Sequence, residues 1–474
     1  MPIAAGKDTF ITCRNSQGTE VRATLLRLTR YLAVFEVYNP YSILQLSEVL
    51  TEFKIIMSDR MVYSGRAVVS NLVNTGILLV CEATLEDSWL DVDVFSPIHE
   101  GDRLESEFAG FLKEWEKVQI VTPEFKVAVA DMQTLLMDLR NWLGQVEFGI
   151  RSDPSKDRIQ AEQEVIEKLK KPFYARVSVL SQSFEEIANR IQEDLRPTHR
   201  IYARRQIHPL ILCSPFLYRT FQKPLGYAGD YEMVRMILRD PSEGASLFAK
   251  MINFYFWSIT PAEAHRNRVK YLTEKITQET RRMVGTGKAV RVFNLGCGPA
   301  QEVLNFLTQE DLCERANLTL LDFNDETLLS TQRSIDELKS RYNRRTSIQL
   351  VKKSVNQILK ECLRPEEKTL GSGYDLVYCA GLFDYFSDKI CKRLMNLFYD
   401  ILAPGGLLVA TNVDSSNPAR QQMEYFMEWH LVYRNPGQLA ALAPERAMPG
   451  SFAVKSDPTG VNIFLEVRKP ENGH

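Results

Sequence analysis

Short segments that alternate between apolar and polar residues, separated by turn residues, fill the first hundred positions of the chain. Such alternation is typical of half-buried strands. Turn residues at 15–18 and 58–60 lie between neighbouring segments as hairpin connections. The pattern predicts a small antiparallel β-barrel over residues 1–100. Its strands are expected at residues 10–13, 20–26, 32–38, 52–57, 61–69 and 76–81.

Over residues 101–285 the apolar positions recur every three to four residues, which is the spacing of amphipathic helices. Segments 106–115 and 124–137 follow this spacing, and Pro123 is expected to separate or kink them. After a turn at 153–157, a further helix is expected to run to about residue 195 with an interruption at Pro172. The apolar stripes fit either a helical core or the surface of a homodimer.

One stretch of the helical region has a different composition. Residues 214–232 are dense in aromatic residues, proline and glycine, and loops of this kind are often functional because they are costly to order. Thr260 and Pro261 then begin a helix that carries Arg268. Arg268 either belongs to a solvated face or holds the carboxylate of a cofactor.

The last third of the chain alternates short apolar segments with helical ones. This alternation predicts an open parallel sheet that is covered on both faces. Two further strands, at 452–455 and 462–467, flank a turn at 456–460 and predict a closing antiparallel hairpin. The parallel strands are expected at residues 290–295, 318–322, 348–351, 374–380 and 407–411.

The stretch 290–302 reads as a buried strand that ends in a glycine turn and opens a helix. Gly296 and Gly298 would let a ligand approach the backbone, and the free N–H groups of the helix would face it. Asp322, at the end of the next strand, is placed to accept hydrogen bonds from both ribose hydroxyls of an adenosine. Gln301 stands where a nicotinamide-binding turn would have its third glycine.

Composition narrows the class of protein. The 474 residues carry 58 basic and 60 acidic side chains, a net charge of -2 that argues against binding of nucleic acid through bulk charge. The eight cysteines form no C-x-x-C pair and the histidines do not cluster, so no structural metal is expected. With neither a signal peptide nor an apolar run of roughly 18 residues, the chain is expected to be cytoplasmic and not integral to a membrane.

Four ordered motifs carry a resemblance over residues 290–468. They are the glycine turn, Asp322, the strand 374–377 and the Pro-Gly-Gly turn at 404–406, and the closing hairpin follows them. Together they resemble class I S-adenosylmethionine-dependent methyltransferases. The resemblance implies a Rossmann-like α/β domain with a seven-stranded sheet at 286–474, preceded by the helical region and the barrel. Asn294 departs from the family pattern, since many members carry an acid there, although an amide can still accept a hydrogen bond.

The resemblance also implies which residues bind S-adenosylmethionine. They follow the strand ends, and two come from the aromatic loop and one from the helix before the domain. The candidates are Tyr227, Asp230, Arg268, Asn294, Gly296, Cys297, Gly298, Pro299, Gln301, Asp322, Phe323, Asn324, Ser354, Val355, Cys379, Ala380, Gly381 and Phe383.

A narrower resemblance rests on the segment 223–232, the glycine turn and the segment 429–434. These resemble methyltransferases known as 3-hydroxypalmitic acid methyl ester synthases, which implies O-methylation of a fatty-acid carboxylate to a quorum-sensing signal. The candidate catalytic residues are His430, Tyr433 and Arg434. His430 and Arg434 are expected on one helix face, where they would orient a carboxylate. The alternatives are another small-molecule acceptor or a signalling module without turnover.

The barrel pattern, with a turn near Gly65, resembles the PilZ family, whose members often bind cyclic di-GMP. That family's motif pairs closely spaced arginines with an acidic-x-Ser-x-x-Gly turn. Here Arg14 and Arg22 are far apart, and residues 28–33 do not match the turn. A barrel used for packing or partner binding is therefore favoured over a nucleotide sensor.

Overall fold

The computed structural model describes residues 9–29, 31–38, 44–57, 60–74, 78–86, 120–153, 157–309, 311–361 and 370–471. The chain forms two compact units, and neither is continuous in sequence. The first unit comprises residues 1–228, 240–257 and 418–430, and the second comprises 229–239, 258–417 and 431–474. The division in chain order at residues 100 and 285 remains a prediction. The helix predicted at 106–115, most of the connection at 58–60 and the centre of the turn at 153–157 lie outside the described residues.

The first unit begins with a closed antiparallel barrel in the order β1-β2-β3-β6-β5-β4, which confirms the predicted barrel. Alternate residues of β2 are buried, as expected for a barrel wall with one face inward. Arg14 and Arg22 do not form a pair: Arg14 forms an ion pair with Glu52 at 3.3 Å, and Arg22 lies over the ring of Phe10. The strands are β1 (Thr9–Arg14), β2 (Glu20–Thr29), β3 (Leu32–Tyr38), β4 (Val49–Met57), β5 (Arg60–Asn74) and β6 (Leu78–Leu85).

Helices follow the barrel and continue through both units. In chain order they are α1 (Pro123–Ser152), α2 (Arg158–Asn189), α3 (Arg196–Ile211), α4 (Pro215–Gln222), α5 (Tyr231–Leu238), α6 (Leu247–Ser258), α7 (Thr260–Gly285), α8 (Gln301–Gln309), α9 (Asp325–Tyr342), α10 (Val355–Glu361), α11 (Asp388–Ile401), α12 (Arg420–Phe426) and α13 (Pro436–Ala440).

The predicted interruption at Pro172 is wrong, because α2 runs unbroken past it. A proline inside a helix removes one backbone donor and crowds the preceding turn. Buried apolar side chains on both sides of the proline offset this cost. Ile166 lies before it in the helix, and Phe173 and Val177 lie after it. Tertiary packing therefore overrides the local preference.

The segment 418–430 belongs to the first unit although its sequence lies in the last third of the chain. The backbone N–H groups of Gln421 and Gln422 at the start of α12 donate to the Glu185 carboxyl on α2, at 2.8 and 2.7 Å. Phe426 stacks on Phe184, with ring centroids 5.0 Å apart. Capping and aromatic packing thus fix α12 among the helices of the first unit.

A buried ion cluster follows α12. The Glu428 carboxylate accepts from Arg66 of β5 at 3.1 Å and from Arg204 of α3, while Lys223 Nζ donates to the carbonyl of Met427 at 2.8 Å. Burial alone would raise the pKa of Glu428, but the charges of Arg204, Arg66 and Lys223 outweigh it and hold that pKa well below its usual range. Barrel, helices and the segment 418–430 therefore share one network of charges.

The backbone of His430 also fixes the segment 418–430 within the first unit. Its backbone N–H donates to the hydroxyl of Ser47, and that hydroxyl donates to the His430 carbonyl at 2.9 Å. Burial, together with the nearby charge of Arg200, lowers the pKa of His430 to about 3, and burial lowers the pKa of His208 to about 4. Both imidazoles are therefore neutral in the folded protein.

Acidification is expected to destabilise the first unit through these histidines. Their folded-state pKa values lie below the ordinary histidine value of 6.5, so the unfolded chain binds more protons below that pH, and stability is lost as the pH falls from 6.5 towards 4. One histidine contributes a slope of up to about 1.4 kcal/mol per pH unit. The free energy of unfolding in urea, measured at several pH values across this range, should change less steeply with pH in His208→Gln than in the unchanged protein. Equal slopes would contradict the assignment.

The second unit holds a seven-stranded sheet in the order β12-β13-β11-β10-β7-β8-β9. The five strands from β9 to β11 are parallel, and β13 and β12 close the sheet as an antiparallel hairpin. The predicted Rossmann-like α/β fold, with a seven-stranded sheet preceded by helices and a barrel, is confirmed. The strands are β7 (Val290–Leu295), β8 (Ala316–Asp322), β9 (Ser347–Lys352), β10 (Tyr374–Cys379), β11 (Leu402–Val413), β12 (Phe452–Ser456) and β13 (Asn462–Arg468).

Both faces of this sheet are covered. One core cluster packs α7 and α8 against residues such as Val292 and Leu320, and the other packs α11 against residues such as Phe293 and Leu408. The central strands β7, β8 and β10 are therefore mostly buried. Within the described residues, no helix is both long enough and apolar enough to span a bilayer.

Candidate functional site

The turn after β7 lies where the strand order reverses, between β8 on one side and β10 on the other. Ligands of open α/β sheets bind at the carboxyl ends of the strands at such a point. The backbone N–H groups of Gly296 and Cys297 both donate to the carbonyl of Leu321, at 2.8 and 2.9 Å. The Thr331 hydroxyl of α9 donates to the Gly298 carbonyl at 2.7 Å. The turn is thus held by β8 and by the helix that follows β8.

The two glycines of the turn have different surroundings. Both have positive φ, +74° at Gly296 and +51° at Gly298. A Cβ on Gly296 would lie 2.6 Å from Cδ1 of Leu382, whereas a Cβ on Gly298 would meet nothing within 4 Å. A side chain at position 296 would therefore collide with the loop after β10, whereas the space beside Gly298 is open.

Asp322 is the last residue of β8, and its carboxylate accepts hydrogen bonds from neighbouring backbone at this edge of the sheet. Its Oδ2 accepts from the backbone N–H of Gly298 at 3.1 Å, and its Oδ1 accepts from that of Asn324 at 3.0 Å. Burial raises the pKa of Asp322, while these backbone donors oppose the rise. The Phe323 N–H is a third backbone donor to this carboxyl, so of its roughly four lone-pair sites at least one remains for a ligand.

Two other predicted residues, at the ends of β8 and β9, accept hydrogen bonds from backbone N–H groups through their side chains. Asn324 caps α9 by accepting from the N–H of Thr327 at 2.9 Å. Ser354 is buried and its hydroxyl accepts from the N–H of Gln357 at 3.3 Å, at the start of α10. Phe323 and Val355 are half-buried beside them. The backbone N–H of Lys353 donates to the Asp322 carbonyl at 2.9 Å, which brings the two strand ends together.

The end of β10 lies next to the end of β7, on the side away from β8. Cys379 and Phe383 have no exposed surface, so a contact from either to a ligand would have to come from its backbone. Ala380 and Gly381 are half-buried, and Gly381 has a φ of +77°. A Cβ on Gly381 would lie 3.0 Å from Nη1 of Arg268, so glycine is needed for this close approach.

Arg268 of α7 carries a guanidinium without an ion-pair partner in the part of the chain that the structure describes. Its Nη2 lies 3.1 Å from Nδ1 of His265, and burial together with the charges of Arg268 and Arg266 keeps the pKa of that imidazole well below its ordinary value. Burial lowers the pKa of Arg268, whereas the carboxyls of Asp384 and Glu302 oppose that effect. The half-buried guanidinium is suited to a carboxylate ligand.

A second group of polar side chains lies beneath the glycine turn. Asn294 and Tyr378 are directly opposite each other on β7 and β10. The Tyr378 hydroxyl donates to Oε1 of Glu302 at 2.8 Å, and all three side chains are buried. Glu302 and Tyr378 were not predicted, because an acid in the first turn of a helix usually marks the dipole and a strand tyrosine usually marks core.

The remaining residues of the turn are tied to the protein. Cys297 is buried, and burial raises its thiol pKa well above the ordinary value, so it is not a nucleophile. Pro299 is also buried. Gln301 donates to Oδ1 of Asn305 at 3.0 Å within α8. These residues shape the turn through its backbone.

The candidate catalytic residues do not lie on a helix. The prediction that His430 and Arg434 share a helix face is wrong, since residues 427–435 are not helical. His430 belongs to the first unit and is fixed there by Ser47. Tyr433 is half-buried in the second unit.

Arg434 is a structural residue of the second unit. Its guanidinium is buried and donates to the carbonyls of Phe383 and Phe386, at 2.8 and 2.7 Å. It also donates to Oδ1 of Asn412 at 2.6 Å and to Oδ1 of Asp388 at 2.9 Å. These partners occupy the fork that was expected to grip a substrate carboxylate. Arg434 instead fixes the loop after β10.

The aromatic loop divides between the two units. Tyr227 is half-buried in the first unit, where the neighbouring Gly226 carbonyl accepts from the N–H of Val49 at 2.7 Å. Asp230 belongs to the second unit and caps α5 by accepting from the N–H of Met233 at 2.8 Å. Tyr231 then donates to Glu326 of α9 at 2.8 Å. The two ends of the loop therefore belong to different units.

No protein-family model and no curated protein matches the chain. Among solved structures, a possible exported protein from Bordetella parapertussis is 18% identical, with a TM-score of 0.43, over 64% of this chain and 97% of that chain. Magnesium protoporphyrin IX methyltransferase from Synechocystis PCC 6803 with bound SAH is 9% identical, with a TM-score of 0.31, over 44% and 87%. N-methyltransferase NodS from Bradyrhizobium japonicum WM9 is 16% identical, with a TM-score of 0.27, over 43% and 98%. The fold assignment rests on the sheet order.

Proposed function

We propose that this protein transfers the methyl group of S-adenosylmethionine to a small-molecule acceptor. The observation that carries the proposal is the edge of the second unit's sheet where Gly298 is open and Asp322 retains acceptor capacity. Both lie at the switch point of the sheet order. This combination suits the nucleoside of the cofactor.

The chain offers separate groups for each part of the cofactor. Asp322 would accept from the two ribose hydroxyls, and Arg268 would hold the carboxylate of the methionine end. Asn294 would receive the ammonium, since its Oδ1 is buried and has no hydrogen-bond partner among the described residues. Bound S-adenosylmethionine supplies an electrophilic methyl group, so the protein's contribution is mainly alignment, which can be worth about 7 to 11 kcal/mol.

We infer a carboxylate acceptor, and specifically a 3-hydroxy fatty acid, from the resemblance of residues 200–468 to methyl ester synthases. A carboxylate is already ionised at neutral pH and needs no strong base. The inference therefore survives the reassignment of His430 and Arg434 to structural roles. An amine, a hydroxyl or an aromatic acid is the alternative acceptor.

Methyl transfer from labelled S-adenosylmethionine to a panel of acceptors tests this proposal. Incubation with 3-hydroxy fatty acids, aromatic acids and amines, followed by mass spectrometry, should yield a base-labile ester of a long-chain acid. The Asp322→Ala variant serves as the control without cofactor binding. A methylated amine or phenol would reject the fatty acid and retain the methyltransferase, whereas absence of S-adenosylmethionine binding would reject both.

A further inference from the structure

Three side chains from three elements of the second unit form a chain of polar contacts. Tyr378 stands between Asn294, its partner across the strands, and Glu302 in the first turn of α8. Its hydroxyl donates to Glu302, and the Asn294 side chain also hydrogen-bonds to it. This chain lies on the sheet face that α7 and α8 cover.

The proton count of the tyrosine fixes the orientation of the amide. A phenol has one proton, and here Tyr378 gives it to Glu302. The phenol oxygen can then only accept, so Asn294 must present its NH₂ group to it. The other end of the amide, Oδ1, is left buried without a partner among the described residues. The network thus uses the donor end of the Asn294 amide and leaves its acceptor end without a partner among the described residues.

Local electrostatics favour this arrangement. Burial raises the pKa of Glu302, and the Tyr378 hydroxyl and the charge of Arg268 act against the rise. Glu302 also stands in the first turn of α8, where the helix dipole favours negative charge. When Glu302 is ionised it can only accept, so the proton of this hydrogen bond stays on the Tyr378 oxygen.

We propose that Tyr378 and Glu302 are positioning residues that hold Asn294 with its amide oxygen towards the ammonium group of the bound cofactor. This inference rests on the proposed function. An ammonium carries three donors and no acceptor, so it is recognised by an oxygen and repelled by an amide NH₂. The pair makes a neutral amide behave as a fixed acceptor.

The test compares two ligands, S-adenosylhomocysteine and its analogue with hydrogen in place of the amino group, by calorimetry on the full chain. Tyr378→Phe keeps the ring and removes the hydroxyl, so the amide is free to turn. We expect the affinity for S-adenosylhomocysteine to fall about ten- to hundredfold, as for loss of a hydrogen bond to a charged group, with the analogue unchanged. Tyr374→Phe, at the other end of β10, is the matched control and should alter neither affinity.

A second variant keeps the inference testable if Tyr378→Phe is poorly folded. Asn294→Leu should cause the same selective loss, and the two substitutions together should cost no more than Asn294→Leu alone, because they remove one interaction. Equal weakening of both ligands by Tyr378→Phe, or additive effects in the double variant, would overturn the positioning role. Failure of the unchanged protein to bind S-adenosylhomocysteine would instead overturn the proposed function.

Discussion

Replacement of Gly296 by arginine is expected to abolish binding of S-adenosylmethionine. The residue has a φ of +74°, which strains any side chain, and even a Cβ would lie 2.6 Å from Leu382. A long side chain must push away the loop after β10, the wall that holds Gly381 against Arg268. Calorimetric titration should therefore detect no saturable binding.

Asp322→Ala is the companion variant, which removes the proposed ribose contact together with the hydrogen bond that the carboxylate accepts from the Gly298 N–H. Two hydrogen bonds to a charged acceptor would be lost, each worth about 1.5 to 3 kcal/mol, so the affinity should fall below the measurable range. Asp336→Ala, an exposed acid on α9, is the control and should leave binding intact. Unchanged affinity in Gly296→Arg or Asp322→Ala would remove this site from consideration.

Glu428→Gln is expected to destabilise the first unit by about 3 to 5 kcal/mol, the usual cost of removing one partner of a buried ion pair. The substitution leaves Arg66 and Arg204 without their shared buried counter-charge. Lys223 can relieve part of the cost by losing its proton, because burial already lowers its pKa to about 7. Urea unfolding of the full chain measures the loss.

Glu86→Gln is the matched control. Glu86 pairs with the same guanidinium, Arg66, at 3.0 Å, compared with 3.1 Å for Glu428, but its side chain is 46% exposed. An exposed pair contributes about 0 to 1 kcal/mol, so this variant should unfold almost as the unchanged protein does. Similar losses in the two variants would show that burial is not the source of the stabilisation.

The parts of the fold that local pattern determines were predicted well. The glycine turn after β7 and Asp322 after β8 lie at strand ends, and parallel strands bring such ends to one edge. The polar chain through Tyr378 was not predicted, because strand register, and not local sequence, places it opposite Asn294. The hydrogen bonds of Arg434 were not predicted for a related reason, since its partners include backbone carbonyls that only the folded loop presents.

The placement of residues 418–430 has a consequence for synthesis of the protein. During synthesis, α12 and Glu428 emerge from the ribosome only after β11. In the folded protein α12 contacts α2, and Glu428 pairs with α3 and with the barrel. Domains usually fold as units from the N-terminus during translation. Here the barrel and its helices must wait, with their docking surface for α12 uncovered, until residues 418–430 have emerged.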